Sequence, residues 1–216
     1  MARLPSRLDP RRGIPLPLLI LTLAAACLHP SANADFPRAA LASLQPTGGR
    51  QGSQVTVSLL GADLDGLEKL TFSHPGITAT PAMTEASEFD PQPRAIPGRM
   101  VVTILPDVPA GLYDVVAVGR YGVSNPRIFA VGTTVEVAKE GEPASPAKAQ
   151  NLVVESTVTA RATAGTSDHY AVSLKAGQRI RAEVWARRID SRMTPVLEVL
   201  DAAGTVLVTA RRHHAD

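Results

Sequence analysis

Three groups of residues have types and spacings that chemistry could use. Ser167, Asp168 and His169 stand side by side and hold the three residue types of a hydrolytic triad. Along an extended chain, successive side chains point to opposite faces, so Ser167 and His169 share a face that Asp168 does not. A triad needs the acid behind the histidine and an oxyanion hole ahead of the serine. No G-x-S-x-G elbow occurs in the chain, so these residues read as a surface loop entering a strand, and no catalytic residue is assigned. In the second group Arg179, Arg181, Glu183 and Trp185 alternate with Ile180, Ala182 and Val184, and Arg187 and Arg188 follow. One reading is a solvated sheet face over a core face. The other is a ligand face, in which Trp185 stacks on a sugar while Arg181 and Arg187 meet an acidic partner. The third group is histidine. His74 lies where a strand runs into the Pro75-Gly76 turn, with no second His or Cys at metal-ligand spacing. His213-His214 could bind a transition metal only weakly, as any exposed pair can.

The elements that must position these residues are strands. Beyond residue 34 no stretch has a helical period long enough to build on, and short period-two runs recur between Gly, Pro, Asn and Asp. That is the pattern of an all-β sandwich protein. Val55, Val57 and Leu59 alternate with Thr56 and Ser58, and Leu70 and Phe72 flank Thr71. Met100 to Leu105, Leu112 to Val118 and Ile128 to Val131 complete a first series. The stretch KEGEPASPAKAQ, Lys139 to Gln150, holds no large apolar residue and reads as a linker or extended lead-in. A second series follows: Leu152–Thr159, Tyr170–Leu174, Ile180–Trp185, Val196–Leu200 and Thr205–Val208. Two sandwiches are therefore expected, over 39–132 and 151–216, joined by 133–150.

Residues 1–34 read as an export signal. Arg3, Arg7, Arg11 and Arg12 precede the apolar run Ile14–Leu28, and Ala32-Asn33-Ala34 supplies a small-x-small cleavage pattern. The apolar run is shorter than the ~20 residues a spanning helix needs, so no membrane span is expected. Ala24-Ala25-Ala26-Cys27 offers an alternative, a lipid anchor at Cys27, and Arg11-Arg12 a twin-arginine route. Cleavage after Ala34 removes four arginines and one acid, Asp9, which turns the formal net charge from +2 to −1. No basic patch is left to argue for nucleic acid. Cys27, the single cysteine, leaves with the same segment, so neither a disulfide nor thiol chemistry is expected.

Two resemblances add to this reading. LASLQPTGGRQGSQVTVSLLGADLDG, Leu41 to Gly66, and PAGLYDVVAVGRYGVSNPRIFAVG, Pro109 to Gly132, resemble the opening and closing of an IPT/TIG-type immunoglobulin-like domain. In that pattern Gly48, Gly49 and Gly52 permit positive φ in tight connections, and Tyr113 and Val115 share a face. GTSDHYAVSLKAGQRIRAEVWA, Gly165 to Ala186, and PVLEVLDAAGTVL, Pro195 to Leu207, resemble the bacterial pre-peptidase C-terminal domain, a jelly-roll-like sandwich. Asp168, Tyr170, Ala176, Gly177, Leu197, Asp201 and Gly204 match its pattern; Thr166 replaces its first acid. Some relatives in that family hold calcium between an acidic lead-in and the first strand, which implies Glu140, Glu142 and Asp168 here. Calcium takes six to eight oxygens, and part of the family's acidic set is missing. The family continues beyond the Asp201–Gly204 hairpin, so the second sandwich is expected to be incomplete.

Together these features suggest a non-catalytic exported module that binds an extracellular protein or carbohydrate, or spaces domains, at the bacterial cell surface or beyond it. The alternative is the N-terminal accessory region of a larger secreted hydrolase such as a peptidase. Apart from calcium, no cofactor is implied.

Overall fold

The computed structural model describes residues 36–86 and 91–211. The export segment with Cys27 and the His213-His214 pair lie outside the described residues. The alternating stretches of 37–132 form two sheets. In the first, β1 (Ala40–Gln45), β3 (Gln54–Ala62), β6 (Ala95–Ile104) and β5 (Ile77–Met83) lie in that order, every pair antiparallel. In the second, the order is β2 (Gly48–Arg50), β9 (Arg127–Gly132), β7 (Gly111–Gly119) and β4 (Leu67–Phe72), with the short β8 (Gly122–Val123) pairing with β7. Period two gives each strand one apolar face, and burial decides which way it turns. Leu41, Leu44, Val57, Leu59, Ile77, Met100, Val102 and Ile104 face inward from the first sheet. Leu70, Val115, Ala117, Phe129 and Val131 meet them from the second. Phe72 and Phe129 pack edge to face, with ring centroids 5.4 Å apart.

Gly48 and Gly49 differ from the expectation of positive φ, which among the three turn glycines holds only for Gly52, at φ +68°. The other two lie within β2, which pairs parallel with β9. A Cβ on Gly48 would run into the Ala130 carbonyl, and one on Gly49 into the Ile104 side chain. Close approach of a neighbouring backbone at Gly48, and of core side chains at Gly49, calls for glycine here rather than a turn.

Polar groups that close the sandwich are paired locally. Asn125 Nδ2 donates to the Leu41 carbonyl at 2.9 Å, and Asn125 Oδ1 accepts the Leu41 N–H at 3.0 Å. Arg127 Nε donates to the same carbonyl at 2.9 Å. Leu41 is 1% exposed, so water cannot replace these partners. Asn125→Ala leaves the carbonyl with Arg127 but strips the buried N–H, at a cost of about 1–3 kcal/mol. Urea unfolding should show that loss, and Asn125→Asp, which keeps the acceptor, should lose less. His74 is satisfied within its turn, its Nδ1 accepting the Gly76 N–H at 3.1 Å. Tyr113 packs edge-on against His74 and donates its hydroxyl to the Pro109 carbonyl at 2.7 Å.

Residues 133–211 are also built from strands, but in pairs. β10 (Val135–Ala138) pairs with β12 (Ser156–Thr159) and β11 (Gln150–Leu152) with β13 (Tyr170–Val172), both parallel. β14 (Val196–Leu200) and β15 (Val206–Arg211) form an antiparallel hairpin. The stretch expected to be a linker thus begins as a strand, because Val135 and Val137 alternate with Glu136. Gln150 folds the rest back: its side chain accepts the Glu140 N–H and donates to the Ala138 carbonyl. Leu152–Thr159 is broken by a turn in which Glu155 takes φ +64°.

Ile180–Trp185, expected to be a strand, forms none and pairs with no neighbour among the described residues. Its anticipated core face, Ile180, Ala182 and Val184, is exposed. Alternation marks two faces, but burial of either needs a second layer, and a two-stranded hairpin supplies none. Ala186 alone among the described apolar side chains beyond Val131 is buried; proline apart, the rest remain partly or wholly exposed.

Burial pushes the Glu136 carboxyl above its ordinary 4.5, against the opposing pull of the Thr159 hydroxyl that donates to it. The folded state therefore binds this proton more tightly than the unfolded chain does. Its stabilising contribution is complete below the unfolded value and is lost as pH rises through the higher folded value. Glu136→Gln should raise the melting temperature at pH 7 and leave it nearly unchanged below about pH 4.

Candidate functional site

The residues around Trp185 are brought together by three local devices. After β13 the chain turns at Ala176-Gly177, where Gly177 takes φ +80° and the Gln178 N–H bonds the Lys175 carbonyl. Beyond it Arg181, Glu183 and Trp185, two residues apart, come together through their side chains. Arg181 pairs with one Glu183 oxygen, and Trp185 Nε1 donates to the other at 3.2 Å. Those bonds, Trp185's first and Arg181's second, hold the Glu183 carboxyl below its ordinary value. The indole edge is thereby fixed by a carboxylate that is itself charge-paired.

Next comes a single 3-10 turn, Arg187–Ile189, closed by Asp190 at φ +61°. Asp190 reaches the first sandwich, where its Oδ2 accepts the Ile128 N–H of β9 at 2.8 Å. β2 pairs with β9 only from Ala130 onward, so Asp190 takes a strand donor that β2 does not cover. This anchors the turn and lays the Arg188 guanidinium 5.7 Å from the Trp185 ring centroid.

Between this turn and the hairpin lies an open groove of about 420 Å³, walled by Trp185, Arg187, Arg188, Met193, Pro195 and Arg211 among others. That is within the size range of small-ligand sites, roughly 300–1,000 Å³. Trp185 is 39% exposed, so its ring is both supported and reachable. Of the residues expected to bind ligand, Trp185 and Arg187 line the groove. Arg181 does not line it; it acts on the site through Glu183. Arg188 and Arg211 complete the cationic wall. Arg188 could have been suspected from its spacing of three from Trp185. Arg211 could not, because it comes to the groove only through the folding of the β14–β15 hairpin, which pairs it with Val196.

No family model matches this chain, and no curated protein does. Among solved structures it is similar to SGBP-B of the Bacteroides ovatus mixed-linkage glucan utilization locus, which was solved with a mixed-linkage heptasaccharide. The TM-score is 0.32 and the identity 16%, over 56% of this chain and 26% of that one. This chain thus matches about a quarter of that protein's length.

Of the carboxylates Glu140, Glu142 and Asp168, the last two are arranged around an ammonium. Lys139 Nζ lies 2.9 Å from Asp168 Oδ1 and 3.4 Å from Glu142 Oε2. The hydrogen bond to Asp168 raises the Lys139 pKa, so this cation is held charged where a calcium ion would have to sit. Among the described residues no three Asp, Glu, His or Cys side chains converge on a metal-sized position. The residues present do not fit the ion. Asp168 is thereby committed to Lys139, and the His169 N–H bonds the Pro143 carbonyl at 2.7 Å. No hydrogen bond joins Ser167 to His169. Among the described residues, no helix is long and apolar enough to cross a membrane.

Proposed function

We propose that the chain is a non-catalytic, exported carbohydrate-binding module whose site is the Trp185 groove. The observation that carries this reading is the indole itself, clamped by Glu183, flanked by Arg188 and open to a groove of ligand size. Sugar rings present flat apolar C–H faces with polar rims, and an immobilised indole beside hydrogen-bonding guanidinium groups complements both parts. Export is supported by the arginine-led apolar segment and its cleavage pattern. The immunoglobulin-type reading of 39–132 is supported by two facing sheets and by the Tyr113 hydroxyl bonded to a backbone carbonyl four residues upstream. The groups at Ser167–His169 are each engaged or apart, which favours binding over catalysis.

The test is affinity electrophoresis of the full chain through gels containing hydroxyethylcellulose, a neutral polysaccharide, or polygalacturonate, an acidic one. Retardation by at least one of them is expected. Unretarded migration of folded protein in both would overturn the reading.

A further inference from the structure

We infer that Asp190 is the positioning residue of the Trp185 groove and couples it to the first sandwich: the groove takes its binding shape only while Asp190 holds β9. This rests on the carbohydrate-binding reading and adds what governs that site. β9 offers a donor at a fixed place. Opposite residues of an antiparallel pair either exchange both backbone hydrogen bonds or turn both away. Asp114 stands opposite Ile128 and turns its backbone towards β4. Its N–H bonds the Ser73 hydroxyl at 3.0 Å, and its carbonyl accepts the Ser73 N–H at 2.9 Å. Ile128 therefore points its own N–H away from β7, to the side where the Ala130 N–H bonds the Thr47 carbonyl at 2.9 Å. β2 pairs with β9 only from Ala130 onward, and Asp190 Oδ2 takes the place a further strand residue would hold.

The turn on the other side of that bond carries part of the groove wall. The Ala186 carbonyl accepts both the Ile189 and the Ser191 N–H at 3.0 Å, and the Asp190 N–H bonds the Arg187 carbonyl at 3.2 Å. Ser191 Oγ in turn accepts the Met193 N–H at 3.2 Å. These bonds make 186–193 one unit, from which Ala186, Arg187, Arg188 and Met193 line the groove. Each of them is local, so together they set the shape of the unit without setting where it sits. Asp190 joins it to a strand residue 62 positions earlier in the chain.

Asp190 meets two demands at once. Its φ of +61° is costly for most side chains and tolerated by Asp and Asn, and only a short side chain ending in oxygen reaches Ile128 from there. The bond lies at the surface, so water can replace Asp190 on the Ile128 N–H, and the sandwich loses little when the bond is broken. The loss falls on the groove, because an undocked turn has to be ordered again each time ligand binds. The coupling is reciprocal: a ligand that binds the docked turn holds Asp190 on Ile128.

Asp190→Gly frees the backbone and removes the acceptor, whereas Asp190→Asn keeps both the tolerated conformation and an acceptor oxygen. The full chain and both variants are to be compared by amide exchange at Ile128 and by calorimetry with hydroxyethylcellulose and polygalacturonate. In Asp190→Gly the Ile128 amide should exchange faster, and affinity for whichever polysaccharide the parent binds should fall about tenfold, with the melting temperature nearly unchanged. Asp190→Asn should restore most of both. In the parent, saturating polysaccharide should slow Ile128 exchange further. Parent-like affinity in Asp190→Gly overturns this inference and leaves carbohydrate binding standing. An equal loss of affinity in both variants overturns it too, since the hydrogen bond would not be the cause, and so does an Ile128 amide indifferent to bound polysaccharide. If the parent binds neither polysaccharide, the underlying reading falls and this inference with it.

Discussion

Phe129→Ala is expected to destabilise the protein by about 3–5 kcal/mol, the range for removing a fully buried aromatic side chain. Phe129 is 0% exposed. It stands opposite Tyr113 across β7 and β9 and meets Phe72 edge to face. Its removal would leave a void between two sheets whose strands are fixed by their ladders, so relaxation can fill only part of the space. Against a total of about 5–15 kcal/mol for an ordinary domain, this is a large fraction, and the denaturation midpoint should fall accordingly. The companion measurement is Leu207→Ala in β15, a larger apolar change by sequence logic than by structure. Leu207 is 61% exposed, and its truncation should stay within about 0.5 kcal/mol of the parent protein. A comparable loss for both variants would mean that the β14–β15 hairpin has an apolar cover and that the core extends well beyond 37–132.

That contrast also marks how far the sequence could be read. Val57, Leu59, Met100, Val102 and Val115 alternate with polar or half-buried neighbours, and each was assignable to an interior face because two facing sheets exist to receive them. The same alternation in Ile180, Ala182 and Val184 produced no interior, because period two reports that a strand has two faces without reporting whether anything lies against either. Glycine was ambiguous for a related reason. Gly52 answers to a turn, whereas Gly48 answers to the Ala130 carbonyl of a strand more than 80 residues away, and both requirements look alike in a Gly-rich string. At the candidate site, Trp185 and Arg187 were legible as neighbours in an arginine-rich stretch. The pairing of Arg181 with Glu183 was not, since it depends on side-chain reach. Lys139 was missed altogether: a sequence scan for calcium counts carboxylates and does not weigh a lysine inserted between them.

Trp185→Ala should weaken polysaccharide binding by about 30-fold, equivalent to about 2 kcal/mol for an aromatic anchor. The fold itself should be little disturbed, because the indole is partly exposed and its polar contact, to Glu183, lies at the surface. The loss has two sources. The flat apolar platform disappears, and Arg188 loses the ring beside which its guanidinium lies, so that group becomes one conformer among many. Trp185→Phe separates them: a ring remains for Arg188 and for the ligand, while the hydrogen bond to Glu183 is removed. It should fall between the parent and the alanine variant.

Trp185 is the only tryptophan in the chain, so its fluorescence reports on the groove and on nothing else. The decisive measurement is the emission of the parent protein titrated with polygalacturonate and, separately, with hydroxyethylcellulose. A saturable blue shift with at least one of them is expected, as the indole exchanges water for a sugar face, with a midpoint matching the binding constant from calorimetry. Binding detected by calorimetry with no change in Trp185 emission would contradict the account, because the ligand would then be held somewhere other than this groove.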